Sequence, residues 1–276
     1  MNTPKIKKLK AVVFFLTLLY FQFLPRTLVA AEPTPSVQPA SPAPATLPPP
    51  DKGPPDVAKL RMVDENGEPT KQFLERYHEP FLKRGKEGPI GVLFIGDSIT
   101  AGWLSAGKEV WKKYYSGFSP ANFGVGGDRT QGVLWRIEHG ELDGISPKVV
   151  VLLIGVNNGG DPAVVRGVKK VVEEIRAKLP QSKILLLGIF PRGNDPANPP
   201  WNARARTFTA GINKELATLD DGKSIRFLDI GDKFLDAQGF ISNEIMPDGL
   251  HLGPAGYQIW ADAMQPLLTE MLNDAK

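Results

Sequence analysis

Five short apolar segments alternate with longer segments of helical periodicity along most of this chain. Each apolar segment is a nearly continuous run rich in valine, isoleucine and leucine, which is typical of strands covered on both faces. Because parallel neighbours need a crossover connection, this alternation predicts a parallel sheet with helices on both faces. The predicted strands are Ile90 to Ile95, Ala121 to Phe123, Lys148 to Ile154, Lys183 to Ile189 and Ile225 to Ile230.

Two predicted helices, one before the first strand and one between strands, have clear signals of their own. The segment from Met62 to Gly88 is predicted to form one helix that packs on the edge of the sheet. A second helix is predicted to begin with Asp161 as its N-cap and Pro162 in its first turn, and to stop at Pro180. The apolar residues of the first helix are Phe73, Leu74, Tyr77 and Phe81; those of the second are Val164, Val165, Val168, Val171, Val172, Ile175 and Leu179.

Residues 1–31 have the pattern of a secretory signal peptide. A lysine-rich start is followed by an almost wholly apolar run from Ala11 to Leu24 and by the small residues Ala30 and Ala31. An uncleaved membrane anchor is the alternative, but the run is shorter than the roughly 20 residues that span a bilayer. The sequence therefore predicts a secreted or periplasmic protein, with membrane attachment only through an uncleaved leader.

Residues 32–55 are dominated by proline and predict an extended, semi-rigid linker, for which binding of a partner is a weaker alternative. Residues 56–276 then form the predicted domain. Five of the 33 cationic residues lie in the leader, which leaves 28 against 30 acidic residues and gives no basic surface for nucleic acid. The chain has no cysteine, which excludes a thiol nucleophile and disulfide bonds.

Four short polar blocks stand where the predicted strands end or just before the last helix. In an open α/β sheet, ligands bind beyond the carboxyl ends of the strands, so residues far apart in sequence converge there. Together the blocks supply a hydroxyl nucleophile, oxyanion donors and a histidine with a carboxylate, which are the parts of an acyl-transfer site. The blocks are Gly96–Thr100, Gly124–Gly127, Gly155–Asn158 and Asp248–His251.

Each block has a structural alternative when it is taken alone. Ser98 could be a helix N-cap, and Asp97 is expected to fix the turn by accepting backbone hydrogen bonds rather than to act in catalysis. Asn157 could be a turn residue, and its neighbour Asn158 is a second candidate donor. The Asp248 block could be a surface turn. The other histidines, expected on the surface away from any nucleophile, are His78 and His139.

The order and wording of the four blocks resemble the SGNH (GDSL) esterase superfamily. The similarity is closest to the catalytic subunits of platelet-activating factor acetylhydrolase IB, and it covers roughly Phe73 to Leu272. The third block departs from the usual pattern, since Val156 stands where a threonine is common. Beyond the blocks, the resemblance extends into Asn122–Asp128, Val133–Arg136, Gly140–Leu142 and Pro191–Gly193.

This resemblance implies a three-layer α/β/α flavodoxin-like fold with a five-stranded parallel sheet. It implies that Ser98 is the nucleophile, His251 its general base and Asp248 the carboxylate that orients the imidazole. The oxyanion hole would consist of the backbone N–H groups of Ser98 and Gly127 and the side-chain amide of Asn157. The family chemistry needs neither a metal nor a cofactor.

The expected function is that of an exported serine esterase for short-chain acyl esters, with acetyl the first choice. An acetylated glycan is the first candidate substrate and a phospholipid or lysophospholipid the second; oligomeric state stays open. A rival from another class is an inactive glycan-binding domain of the same fold. A dinucleotide site is disfavoured because Arg129 occupies the place of the third glycine in G-x-G-x-x-G. Candidates for stacking on sugar rings are Trp103, Trp111 and Trp201.

Overall fold

The structure is a computed structural model that describes residues 53–193 and 199–274. The predicted signal peptide and most of the predicted linker lie outside the described residues. Five parallel strands form one sheet in the order β2-β1-β3-β4-β5, which confirms the predicted sheet. The strands are β1 (Val92–Gly96), β2 (Ala121–Gly124), β3 (Val149–Leu153), β4 (Lys183–Leu187) and β5 (Ile225–Leu228).

Helices cover both faces of this sheet, as the alternating pattern predicts. Neighbouring strand residues point to opposite faces, so Leu93 and Ile95 belong to one apolar core while Val92 and Phe94 belong to the other. The helices are α1 (Lys71–Phe73), α2 (Glu79–Lys86), α3 (Ser98–Ala101), α4 (Lys108–Tyr115), α5 (Thr130–Glu138), α6 (Val164–Lys178), α7 (Pro199–Leu216) and α8 (Pro254–Asn273). Side chains of α5, α6 and α7 fill the first core, and those of α8 fill the second.

The N-terminal helix is shorter and less regular than predicted. Val63 and Pro69 form an antiparallel bridge around a turn at Gly67, whose φ of 83° favours glycine, so no helix forms there. The helix begins after Thr70, and a π-helical stretch, Leu74–His78, separates α1 from α2. The predicted packing on the sheet edge is confirmed, because Phe81 stacks on Phe123 of the edge strand β2 at 4.5 Å.

Helix α6 shows the predicted signals at slightly different positions. Asp161 accepts a hydrogen bond from the backbone N–H of Ala163 at 2.8 Å, but Ala163 is the residue that directly precedes the helix. The helix ends at Lys178, two residues before Pro180. Within residues 53–193 and 199–274, no helix combines the length and the apolar character that crossing a membrane requires.

Candidate active site

The carboxyl ends of β1, β2 and β3 bring three of the polar blocks to one edge of the sheet. Ser98 is the first residue of α3, two residues after β1 ends, and its side chain is half-buried. Gly127 lies between β2 and α5, and Asn157 lies in a short 3-10 helix that follows β3. Parallel strands end on the same side, so these loops are neighbours although up to 59 residues separate them.

The loop before α8 completes this edge with a histidine and its carboxylate. Ser98 Oγ lies 2.9 Å from His251 Nε2 although 153 residues separate the two. On the other side of the ring, His251 Nδ1 lies 2.6 Å from Asp248 Oδ2. A chain of hydrogen bonds therefore runs from hydroxyl to imidazole to carboxylate, which is the arrangement that activates a serine nucleophile.

Asp248 also organises the backbone of its own loop. Its Oδ1 accepts hydrogen bonds from the backbone N–H groups of Leu250 at 3.0 Å and His251 at 2.7 Å. Partial burial acts to raise the pKa of Asp248, but the hydrogen bonds from His251 and Leu250 prevail and hold it at about 2. The carboxylate is therefore charged at any pH at which the imidazole could serve as a base.

Gly127 is a backbone position at which other residues would be strained. Its φ of 69° lies in the left-handed region. Asn157 Nδ2 donates a 2.9 Å hydrogen bond to the backbone carbonyl of Asp128, the residue after Gly127. A primary amide has two N–H groups, so one remains for a ligand in the space between these loops. The two loops thus present a backbone donor and a side-chain donor side by side.

The neighbouring Asn158 has a different environment. Its side chain is buried, and Nδ2 donates to Thr130 Oγ1 and to Gln131 Oε1, both at 3.0 Å. Both N–H groups are thereby used inside the protein. The sequence leaves both asparagines as candidate oxyanion donors, and of the two only Asn157 retains an N–H group for a substrate.

Asp97 faces inward rather than toward the open edge. Its Oδ1 accepts a 2.9 Å hydrogen bond from the backbone N–H of Ile99, which confirms its predicted role in fixing the turn. Its Oδ2 is buried and has no hydrogen-bond partner in the described part of the chain. Burial raises the pKa of Asp97 to about 7, so this residue is partly protonated at neutral pH.

A buried network of charged groups holds Asp128, the residue after Gly127. This network was not predicted from the sequence. Arg136 donates to Asp128 Oδ2 at 3.1 Å and to Glu141 Oε2 at 2.7 Å. His78 Nδ1 lies 2.9 Å from the other oxygen of Glu141. The expectation that His78 lies on the surface is therefore wrong, whereas His139 is exposed as expected. In the sequence, the signal that could have indicated this network is the spacing of Asp128 and Arg136, which lie eight residues apart.

The tryptophans proposed for sugar stacking do not form a common surface. Trp103 is fully buried and packs on Tyr257 and Trp260 at ring distances of 4.6 and 4.9 Å, so that expectation is wrong. Trp111 is half-buried against Phe94 at 4.8 Å, which fits core packing. Trp201 belongs to α7, but its side chain lies outside the described part of the structure.

The edge that carries these groups is open to solvent. The side chains of Asp248 and His251 are 56% and 46% exposed, so solvent reaches the imidazole. No cluster of three or more His, Asp or Glu side chains among the described residues could hold a metal ion.

Comparison with known proteins finds relatives that match most of the domain. Residues 94–259 match the GDSL-like lipase/acylhydrolase family. The platelet-activating factor acetylhydrolase IB subunit alpha1 of Homo sapiens is 38% identical over 198 residues, which are 71% of this chain and 82% of that protein. The alpha2 subunit of Mus musculus is 36% identical over 200 residues, 71% of this chain and 84% of that protein.

A solved structure shows the same fold at lower identity. A candidate acylhydrolase from Bacteroides fragilis superposes with a TM-score of 0.59 and 21% identity, over 74% of this chain and 100% of that chain. The family match covers more than half of this chain, and the relatives exceed 30% identity. The chain therefore belongs to the GDSL-like lipase/acylhydrolase family and is a carboxylic ester hydrolase.

Proposed function

We propose that this chain is an exported serine esterase that hydrolyses short-chain acyl esters, above all acetyl esters, through an acyl-enzyme. The observation that carries this proposal is the 2.9 Å contact between Ser98 Oγ and His251 Nε2, with Asp248 on the far side of the ring. The signal-peptide pattern of residues 1–31 supports export.

In the acylation step, Ser98 Oγ attacks the carbonyl carbon of the ester while its proton passes to His251 Nε2. Asp248 stabilises the resulting imidazolium through the Nδ1–H. The negative oxygen of the tetrahedral intermediate accepts hydrogen bonds from the N–H groups of Ser98 and Gly127 and from Asn157 Nδ2. His251 then gives its proton to the leaving alkoxide, and the alcohol departs.

Deacylation repeats this sequence with water in place of the alcohol. The imidazole of His251 removes a proton from the water, which attacks the acyl group on Ser98 through a second tetrahedral intermediate. Collapse of this intermediate returns the proton to Ser98 Oγ and releases the carboxylic acid. The same donors act in both half-reactions, so each donor should affect both.

An acetylated glycan is the favoured substrate class. The half-exposed Asp248 and His251 leave room for a polymer beside the nucleophile, and an exported enzyme meets polysaccharides. A phospholipid or lysophospholipid is the second candidate, because the curated relatives are named for acetyl release from platelet-activating factor.

A comparison of substrates tests this assignment. The purified protein would be assayed on 4-nitrophenyl acetate, butyrate and octanoate, on acetylated xylan and on a phospholipid. Release of acetate from xylan together with a preference for the acetate ester supports the glycan esterase. Release of an acyl group, acetyl or fatty acyl, from the phospholipid favours the lipid alternative. If no ester is cleaved and the folded protein binds xylan, the inactive binding domain replaces both.

The change Asn157→Ala is expected to lower kcat/KM for 4-nitrophenyl acetate by about 10²- to 10³-fold, the usual effect of removing one oxyanion donor. The melting temperature should change little, because among the described residues the Asn157 side chain makes one hydrogen bond, to the carbonyl of Asp128. Asn158→Ala is the matched control: it should lower the melting temperature, since it removes three buried hydrogen bonds. Equal activity of wild type and Asn157→Ala would exclude this asparagine from the oxyanion hole.

The pH dependence of kcat/KM should include an acidic limb from His251. His251 must be neutral to accept the proton of Ser98, so kcat/KM should fall on acidification as the imidazole becomes protonated. Asp248, with its pKa held at about 2, contributes no further limb above pH 4. Circular dichroism at each pH separates titration from unfolding. A flat profile down to pH 5 would contradict the role of His251.

A further inference from the structure

Arg61 places a cation on the loop that contains Gly127. Arg61 Nη2 donates a 3.1 Å hydrogen bond to the backbone carbonyl of Gly126. A Cβ atom built on Gly127 would lie 2.7 Å from the same nitrogen, so the guanidinium covers this glycine. Arg61 comes from the segment before α1 and lies outside residues 94–259, which match the family.

The carbonyl of Gly126 and the N–H of Gly127 belong to one peptide group. Resonance couples the two ends of a peptide group, so a hydrogen bond accepted by the oxygen polarises the N–H and makes it a stronger donor. Hydrogen bonds from a charged donor are roughly twice as strong as neutral ones. Arg61 therefore acts on the N–H of Gly127 without any contact with substrate.

No carboxylate in the described part of the chain neutralises the charge of Arg61. Among residues 53–193 and 199–274, no aspartate or glutamate forms an ion pair with it. Water screens this exposed charge at long range, but its hydrogen bond to the peptide is a direct contact. The cation thus retains its effect on the carbonyl of Gly126.

The segment that carries Arg61 is fixed to the start of α5, which follows the Gly127 loop. The backbone N–H of Lys59 donates to the carbonyl of Gln131 at 3.1 Å, and Thr130 Oγ1 donates to the carbonyl of Pro55 at 2.6 Å. Leu60 is buried beside Val125. These main-chain and side-chain contacts therefore fix the backbone from which the Arg61 side chain extends.

We propose that Arg61 is a positioning residue of the oxyanion hole, which polarises the Gly126–Gly127 peptide so that the Gly127 N–H binds the developing oxyanion more strongly. The proposal rests on the proposed serine esterase mechanism. According to this proposal, the segment before α1 contributes to the function of the oxyanion hole. Because the effect is exerted only on the charged oxygen of the tetrahedral intermediate, it should change kcat rather than KM.

The test compares Arg61→Met, Arg61→Lys and the control Arg84→Met. Arg84 also donates to main-chain carbonyls, those of Gly88 and Pro89 at 3.3 Å, but it lies near the amino end of β1, away from the site. With 4-nitrophenyl acetate, Arg61→Met should lower kcat about tenfold, less than the 10²- to 10³-fold loss of a direct donor, with KM unchanged. Arg61→Lys, which keeps a charged donor, should retain most activity, and Arg84→Met all of it.

Two inhibitors distinguish this role from a purely structural one. A trifluoromethyl ketone forms a tetrahedral adduct on serine, whereas the amide N-(4-nitrophenyl)acetamide resembles the ground state. Arg61→Met should weaken the ketone by the same factor as kcat and leave the amide unchanged. Both constants are measured on folded protein, so a loss of stability cannot imitate the result.

Three results would overturn the proposal while leaving the esterase mechanism intact. The first is an unchanged kcat in Arg61→Met. The second is an equal weakening of both inhibitors. The third is a rise in KM confined to 4-acetoxybenzoate and absent with neutral 4-acetoxybenzamide, which would make Arg61 a site for anionic substrates. Failure of the wild-type protein to cleave any ester would instead refute the mechanism itself.

Discussion

Ser98→Ala is expected to lower kcat/KM for 4-nitrophenyl acetate by about 10⁴- to 10⁶-fold, the range found when the nucleophile of a serine triad is removed. The change removes one hydroxyl, whose hydrogen-bond partner in the described part of the chain is His251 Nε2, so the melting temperature should stay close to that of the wild type. A fluorophosphonate probe should form an adduct on Ser98 in the wild type, detectable by mass spectrometry of the peptide, and none in the variant.

The matched control for this change is Ser105→Ala. Ser105 lies seven residues further along the chain, is exposed and donates a 3.2 Å hydrogen bond to the carbonyl of Gly102, with no contact to a histidine. This variant should keep full activity and full labelling. Labelling of Ser98→Ala at another serine, or retention of its activity, would show that the nucleophile lies elsewhere. Absence of labelling in the folded wild type would favour the inactive binding domain.

The sheet could be predicted from the sequence because its strands are covered on both faces. Their valine, isoleucine and leucine runs leave little ambiguity, and each predicted strand is present with ends that differ by at most two residues. The start of the N-terminal helix is harder to predict, because its apolar residues have helical spacing while Gly67 and Pro69 just before them favour a turn. The local turn signals decided the outcome there.

The polar blocks were visible because each one combines several residues with required chemistry within a short span. Buried partners that join distant parts of the chain leave no such local pattern. Glu141 contacts His78, which lies 63 residues earlier in the chain, so no local sequence pattern indicates that this histidine is buried. The bond from Arg61 to the Gly126 carbonyl is equally hidden, because any residue at position 126 would offer the same acceptor.

The exposed carboxylate of the candidate triad raises the question of whether it acts in catalysis or only shapes its loop. One oxygen of Asp248 accepts two backbone hydrogen bonds, and the other contacts the imidazole of His251. In Asp248→Asn, the oxygen can still accept from the backbone while the amide N–H faces Nδ1. That donor would hold the imidazole in the tautomer with its proton on Nε2, where it can no longer accept the proton of Ser98.

We therefore expect Asp248→Asn to lower kcat/KM by about 10⁴-fold at neutral pH with an almost unchanged melting temperature. The control is Asp236→Asn, because Asp236 Oδ1 accepts from the backbone N–H groups of Gln238 and Phe240 at 2.9 and 2.8 Å in a similar turn without a histidine contact. Full activity in Asp236→Asn and its loss in Asp248→Asn would assign the effect to the imidazole partner. A loss below tenfold in Asp248→Asn would mean that Asp248 serves the loop and that Ser98 and His251 act as a dyad.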